Sequence, residues 1–267
     1  MSKNAVLTEY QIFASEISAP VTIALAADVH ERPADDIIEI IRKSKPDLIA
    51  VAGDTLERYS GDRENHIKRS ALFTVLRCFA AVINGTLKLF FGRRNKPLTE
   101  NAYRFLSRCS DIAPVFMSLG NHEEELTAED YDFLKKNNIK LLDNSYGSFT
   151  VKNMQLLIGG YSFYGEHAWF DNFARENSFK ILLCHRPEIY DEIRASNVNL
   201  VLAGHNHGGQ FRLFGRGLVS SSGGFFPRYD KGVYENRLVV TAGCSNSVYI
   251  PRINNPREAV IIKLIPK

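Results

Sequence analysis

The sequence contains no run of about 18 consecutive uncharged apolar residues, the length a helix needs to cross a bilayer; its longest candidate, Cys78 to Ile83, is far shorter. Its first residues, Met-Ser-Lys-Asn-Ala-Val-Leu-Thr-Glu-Tyr, lack the basic cluster and apolar stretch of an export signal. Cysteine is scarce: Cys78, Cys109, Cys184 and Cys244 are scattered and none forms a CxxC pair. That argues against a thiolate zinc site and against a disulfide framework, leaving free thiols in a reducing compartment as the expectation. A cytoplasmic protein is therefore expected. Net charge is also small, +3 over 267 residues, too little to argue for nucleic acid as a partner. Acid is missing from one window, however: Asn65 to Thr99 holds no Asp or Glu.

What is present is ordinary for a globular protein, 45% apolar and 24% charged. Short apolar runs at 21–27, 47–52, 114–119, 180–183 and 200–203 read as buried strands. Each runs at once into polar, metal-competent residues: Asp28 and His30, Gly53-Asp54, Gly120-Asn121-His122-Glu123, His185, and Gly204-His205-Asn206-His207. Amphipathic helices are expected at 33–43, 127–137 (with Thr127 and Asp130 at capping-box spacing) and 187–195. Further strands are expected at 156–159, 238–241 and 259–264. In open α/β sheets, ligands bind beyond the carboxyl ends of strands. One α/β domain over 1–267 follows, with two packed sheets, helices outside, and a helical insertion at about 60–112.

Five of the seven histidines lie at these strand ends; His66 and His167 do not. A two-metal hydrolytic site needs nitrogen and oxygen ligands around ions about 3.5–4 Å apart, with one carboxylate between them. Asp28 and His30, two apart, are expected to project to the same side of an extended chain, and His205 and His207 likewise. Asp54, Asn121 and His185 complete a mixed N/O set without sulfur, better suited to Mn, Fe, Zn or Co than to Mg or Ca. His122 follows a candidate ligand directly, so its ring is expected to face substrate as a general acid, with Glu123 fixing its tautomer. Cys184 falls on the other side of its strand and reads as core. Arg186 and Asn206 are candidate substrate contacts; Trp169 and Phe170 read as packing before pocket lining.

These blocks, in this order, resemble the calcineurin-like metallophosphoesterase family. The resemblance implies an αββα sandwich and two divalent ions. One would be held by Asp28, His30, Asp54 and His207, the other by Asp54, Asn121, His185 and His205, with His122 as the acid. Gly204 to Gln210, Pro227-Arg228-Tyr229 and Lys231 to Tyr234 further resemble a bacterial, often membrane-associated branch related to phosphodiesterases and UDP-diacylglucosamine pyrophosphatases. Members of that branch often carry an N-terminal anchor or export signal, which the first residues here do not resemble.

The acid-free window holds Lys68, Arg69, Arg77, Lys88, Arg93, Arg94 and Lys96 among many apolar residues, with Phe73, Leu76, Phe79, Ala80 and Ile83 at helical spacing. Three readings stand: a core helix with a basic end, a segment that docks on the inner membrane face or guides an amphiphilic phosphate ester, and a dimer interface. Two functions from different classes follow. One is a manganese-type phosphoesterase acting on a phosphorylated small molecule or lipid-linked ester. The other is a retired scaffold that binds a partner through residues 65–99.

Overall fold

The segment Val21–Ala26 reads Val-Thr-Ile-Ala-Leu-Ala and is apolar on both faces, so both faces must be covered. The computed structural model, which describes residues 5–59, 98–219, 224–246 and 252–267, shows what covers them. Cys78, His66 and all but the last two residues of the Asn65–Thr99 window lie outside the described residues, and so does any role expected for that window.

One sheet runs in the order β1 (Val6–Ala14), β14 (Glu258–Pro266), β2 (Val21–Ala26), β3 (Leu48–Ala52), β4 (Val115–Ser118) and β5 (Lys140–Leu141). The other runs β12 (Gly232–Tyr234), β13 (Leu238–Val240), β9 (Leu200–Ala203), β8 (Phe179–Cys184), β7 (Met154–Tyr161) and β6 (Ser145–Val151). A short hairpin, β10 (Arg212–Leu213) with β11 (Arg216–Gly217), stands apart from both. Strands β2, β3 and β4 are mutually parallel, as are β7, β8, β9 and β13, so their carboxyl ends gather together.

Strand alternation sorts the core into three seams. Ile23, Leu25, Ile262 and Leu264 of the first sheet meet Ile158, Ile181, Leu183 and Leu202 of the second. On the first sheet's outer face, Ala24, Ala26, Ile49 and Ile261 pack under α1 (Asp35–Ser44), α2 (Thr99–Ser110) and α3 (Ala128–Lys136). On the second sheet's outer face, Leu182 and Val201 pack under α4 (Trp169–Arg175) and α5 (Ile189–Ile193). This is the expected αββα sandwich of two mixed sheets. No described helix is long and apolar enough to cross a membrane.

One expected helix changes. The helix expected at 187–195 is only Ile189–Ile193. Residues 99–110, expected within the insertion, form a helix of the outer layer. Ala102, Phe105, Leu106 and Cys109 recur at helical spacing and are all buried. Trp169 and Phe170 do pack, against Tyr161 and Phe173. Cys109, Cys184 and Cys244 are free and buried.

The capping box of α3 forms as expected, but Asp130 does more than cap. Its carboxylate, fully buried, accepts from the Thr127 N–H at 2.8 Å, from Arg58 Nε and Nη2 at 2.8 and 2.7 Å, and from the Tyr103 hydroxyl at 2.8 Å. Arg58 also donates to Glu31, and its backbone N–H donates to the His122 carbonyl at 2.7 Å. Burial opposes the Asp130 charge, yet Arg58 and Thr127 outweigh it and hold the carboxyl at about 2. A depressed carboxylate stabilises the fold above its unfolded value, about 3.9, and loses that contribution as pH falls toward its folded value. Urea unfolding should therefore show wild-type stability dropping more between pH 4 and 2 than that of Asp130→Asn. Asp130→Ala, which strands the Arg58 charge, should lose about 3 kcal/mol at neutral pH.

Candidate metal centre

The candidate ligands do not converge by simple strand alternation. Asp28 (φ 57°), His30 (φ 51°), Asp54 (φ 54°), His205 (φ 71°) and His207 (φ 46°) all lie in the left-handed region. Such residues are uncommon, with Asp and His among the better tolerated, and they turn the chain sharply. The extended Asp28-x-His30 and His205-x-His207 geometry expected from the sequence is thus corrected: kinks, not pleat, bring these side chains together. Gly53 (φ 79°) turns the chain into Asp54, and a Cβ there would stand 2.7 Å from the Gly120 nitrogen, so the loops after β3 and β4 touch backbone to backbone.

The loops meet in one buried cluster. Donor atoms of Asp28, His30 and His207 lie within 4.8 Å of one another, as do those of Asp54, His185 and His205, and those of His30, Asp54 and His122. The Asn121 side-chain oxygen is buried and has no hydrogen-bond partner. All seven candidate ligands thus sit at the carboxyl ends of β2, β3, β4, β8 and β9.

Hydrogen-bond chemistry tests whether a cation fits. His185 Nδ1 lies 2.8 Å from the Ala52 carbonyl, an acceptor only, so that nitrogen carries the proton. The lone pair of Nε2 then faces Asp54 Oδ2 at 3.0 Å. His30 Nδ1 likewise faces a carboxylate, Glu57, at 2.9 Å. Its Nε2 is buried without a hydrogen-bond partner, 3.9 Å from Asp28 and 3.8 Å from Asp54. Neutral rings here would turn lone pairs toward carboxylate oxygens, an arrangement that calls for positive charge at the centre. The ring basicities show the same demand. Burial works against the charged form of His185, but Asp54 and Asp28 lift the ring to about 10. Burial also works against the charge on Asp54, but His185 and His122 hold it well below the usual carboxylate range. Burial and the charge of His185 push His205 down to about 3. The donor set and its directions fit divalent ions.

His122 differs from the rest. Its side chain is 26% exposed, against 9% or less for His30, His185, His205 and His207. Its Nε2 lies 3.7 Å from Asp54 Oδ2, and its backbone N–H donates to Asp54 Oδ1 at 2.9 Å. Glu123 does not orient it. That carboxylate is buried and accepts four backbone N–H groups, from Asp54 (2.9 Å), Thr55 (2.7 Å), Leu56 (2.9 Å) and Gly120 (2.7 Å), which leaves it turned into the loops. The residues that hold His122 Nδ1 are Glu57, at 3.2 Å, and the Tyr59 hydroxyl. Burial opposes the His122 charge, and Asp54 and Glu57 outweigh it, lifting the ring to about 9. Glu57 therefore holds two rings at once, through Oε1 to His30 and Oε2 to His122. The sequence analysis missed Glu57 and Tyr59. Their only signal was position, three and five residues after Asp54.

The candidate substrate contacts divide. Arg186 places its guanidinium 5.2 Å from the Phe163 ring centroid and, among the described residues, pairs with no carboxylate. Asn206 is fully buried, and its amide donates to Glu188 and to the Tyr229 carbonyl, both at 2.9 Å. It braces the loop rather than facing substrate. His167 is stacked on Tyr161 at 3.6 Å.

A family model for calcineurin-like phosphoesterases matches residues 21–209. The chain is 26% identical to YpbG of Bacillus subtilis, over 73% of this chain and 64% of that protein. It is 24% identical to phosphodiesterase YaeI of Escherichia coli, over 95% of this chain and 85% of YaeI. It is 26% identical to metallophosphoesterase Cj0846 of Campylobacter jejuni, over 91% of this chain and 57% of that protein. The match thus spans less than two thirds of YpbG and of Cj0846.

If the cluster holds cations, ligand binding must raise stability by mass action, about 2.7 kcal/mol at a free ion concentration one hundred times Kd. The melting temperature should rise on adding Mn and fall back with EDTA. Asp54→Asn should show neither change.

Proposed function

The chain belongs to the calcineurin-like phosphoesterase family, and from that premise we propose that it is a dinuclear metal-dependent phosphoesterase. Its substrate would be a phosphate ester (diester, monoester or pyrophosphate) of amphiphilic or lipid-linked character. The observation that carries the proposal is the facing of histidine lone pairs and carboxylate oxygens around one buried centre. Asp28, His30, Asp54 and His207 would hold one ion; Asp54, Asn121, His185 and His205 would hold the other. Bound Mn, Fe or Zn supplies Lewis acidity toward the phosphoryl group and lowers the pKa of water.

The remaining steps belong to the chain's own residues. Glu57 and Tyr59 hold His122 at Nδ1, which turns Nε2 toward the cluster. From there His122 gives a proton to the departing oxygen. Glu57 keeps His30 in the matching tautomer, so one carboxylate sets both the acid and a ligand. Arg186, beside His185 and without a carboxylate partner among the described residues, meets a non-bridging phosphate oxygen. A cytoplasmic place at the inner membrane face, and a part for Asn65–Thr99 in guiding an amphiphilic ester, belong to the same proposal and rest on composition. Against the retired-scaffold reading stands the complete ligand set, since loss of function ordinarily removes a ligand.

The test is turnover of chromogenic mono- and diesters by the Mn-loaded protein. Asp54→Asn should abolish it together with metal binding. His122→Asn should keep its metal and lose about 10²- to 10⁴-fold in kcat. Glu57→Gln should lower both kcat and metal affinity, the latter by about 10- to 100-fold. A metal-loaded protein inert toward every ester would sink the proposal.

A further inference from the structure

One ring of the cluster, His207, meets a donor that can never accept. Arg252 Nη2 lies 3.2 Å from His207 Nδ1, on the ring that stacks against His30 at 5.3 Å. The same nitrogen donates to the Ser245 carbonyl, and Arg252 Nε and Nη1 are buried without a hydrogen-bond partner. Among the described residues, no carboxylate therefore pairs with this guanidinium. Burial pulls its basicity down, and the charges of Asp28 and Glu258 act against that fall. The backbone around Arg252 is fixed on the turn that carries His207. Arg212 N–H donates to the Ile253 carbonyl at 3.0 Å, Ile253 N–H to the Gln210 carbonyl at 3.2 Å, and the Asn255 amide to the His207 carbonyl at 2.7 Å. If Arg252 leaves His207, its side chain moves and its backbone stays.

A guanidinium only donates, and a neutral imidazole has one nitrogen lone pair in the ring plane. The contact therefore spends the single lone pair of His207 on Arg252. A metal ion needs that same lone pair, whichever ring nitrogen it takes. An ion at Nδ1 would stand where the guanidinium stands. An ion at Nε2 puts the ring proton on Nδ1, which then faces Arg252 donor to donor. His30 and His185 are the opposite case. Nδ1 of each faces an acceptor, Glu57 at 2.9 Å and the Ala52 carbonyl at 2.8 Å, so Nε2 keeps its lone pair. His205 Nδ1 faces His185 Nε2 at 3.2 Å, and a change of tautomer in His205 alone turns both lone pairs toward one ion.

We propose that Arg252 competes with a metal ion for His207, so that the group Asp28, His30 and His207 takes its ion second and more weakly than the group Asp54, His185 and His205. On His207, the guanidinium holds positive charge beside the ligand cluster. The entering ion displaces it by a swing of the side chain about a fixed backbone. This inference rests on the two-ion reading of the site.

Calorimetric titration of the full chain with Mn tests the proposal. The wild type should take up two ions in unequal steps. Arg252→Met, which keeps an apolar stem and removes the donors, should tighten the weaker step by about tenfold or more and leave the tighter step within about twofold. His207→Ala should abolish the weaker step and keep the tighter one. A second measurement needs no variant. In nitrogen-15 spectra of the wild type titrated with Zn, the Arg252 side chain should shift with the second equivalent and not with the first. Three results would overturn the proposal: equal steps in the wild type, a weaker step that Arg252→Met leaves unchanged or loosens, or an Arg252 signal that moves with the first equivalent. A wild type and an Arg252→Met variant that both bind no Mn would end the two-ion reading as well, whereas two ions bound without any effect of Arg252 would end this inference alone.

Discussion

The buried carboxylate of Glu123 ties the loop after β3 to the loop after β4, and the cluster depends on that tie. Its two oxygens take the N–H groups of Asp54, Thr55, Leu56 and Gly120. A second link, His122 N–H to Asp54 Oδ1, closes the pair of loops, and His205 N–H to Asp28 joins the two sheets. Five non-glycine residues here are held at positive φ, at about 1–2 kcal/mol each. Hydrogen bonds to charged groups contribute about 1.5–3 kcal/mol each. Six such bonds, to Glu123, Asp54 and Asp28, oppose that strain in the loops.

That rigidity has an electrostatic consequence. With Nδ1 of His30 and His185 committed to Glu57 and the Ala52 carbonyl, their Nε2 atoms face Asp28 and Asp54 in a space closed to water. The arrangement favours positive charge at the centre of the cluster. Glu57 carries the organisation outward to His122, the more exposed ring, so the proposed ligands and the proposed acid share one support. Arg58, one residue on, anchors that support to α3 through Asp130.

The elements legible in the sequence were those whose burial is plain. Strands β2, β3, β4, β8 and β9 are apolar except for Thr22, Ser118 and Lys180, and each lies within two residues of its expected ends. β1 escaped because Leu7 and Phe13 sit on its exposed face and blur the alternation of an edge strand. Helix α2 was not singled out within the helical insertion expected at about 60–112, although Ala102, Phe105, Leu106 and Cys109 stand at helical spacing. At the site, the expected ligands were legible because metal-competent types followed strand after strand. Glu57 was not, since nothing in the spelling Gly-Asp-Thr-Leu-Glu says which way a carboxylate three residues on will turn.

By itself, then, the sequence determined the layered α/β fold and the gathering of Asp, Asn and His at strand ends. Period-two burial and parallel strands impose both. Tertiary structure alone decided how those side chains meet. Left-handed kinks, not strand pleat, aim the candidate ligands, and Glu123 turned out to brace backbone while Glu57 took the ring of His122. The physical reason is that a carboxylate goes to whichever donors the folded loops leave unpaired. In the buried tie between β3 and β4 those were backbone N–H groups, and at the cluster's rim they were imidazoles.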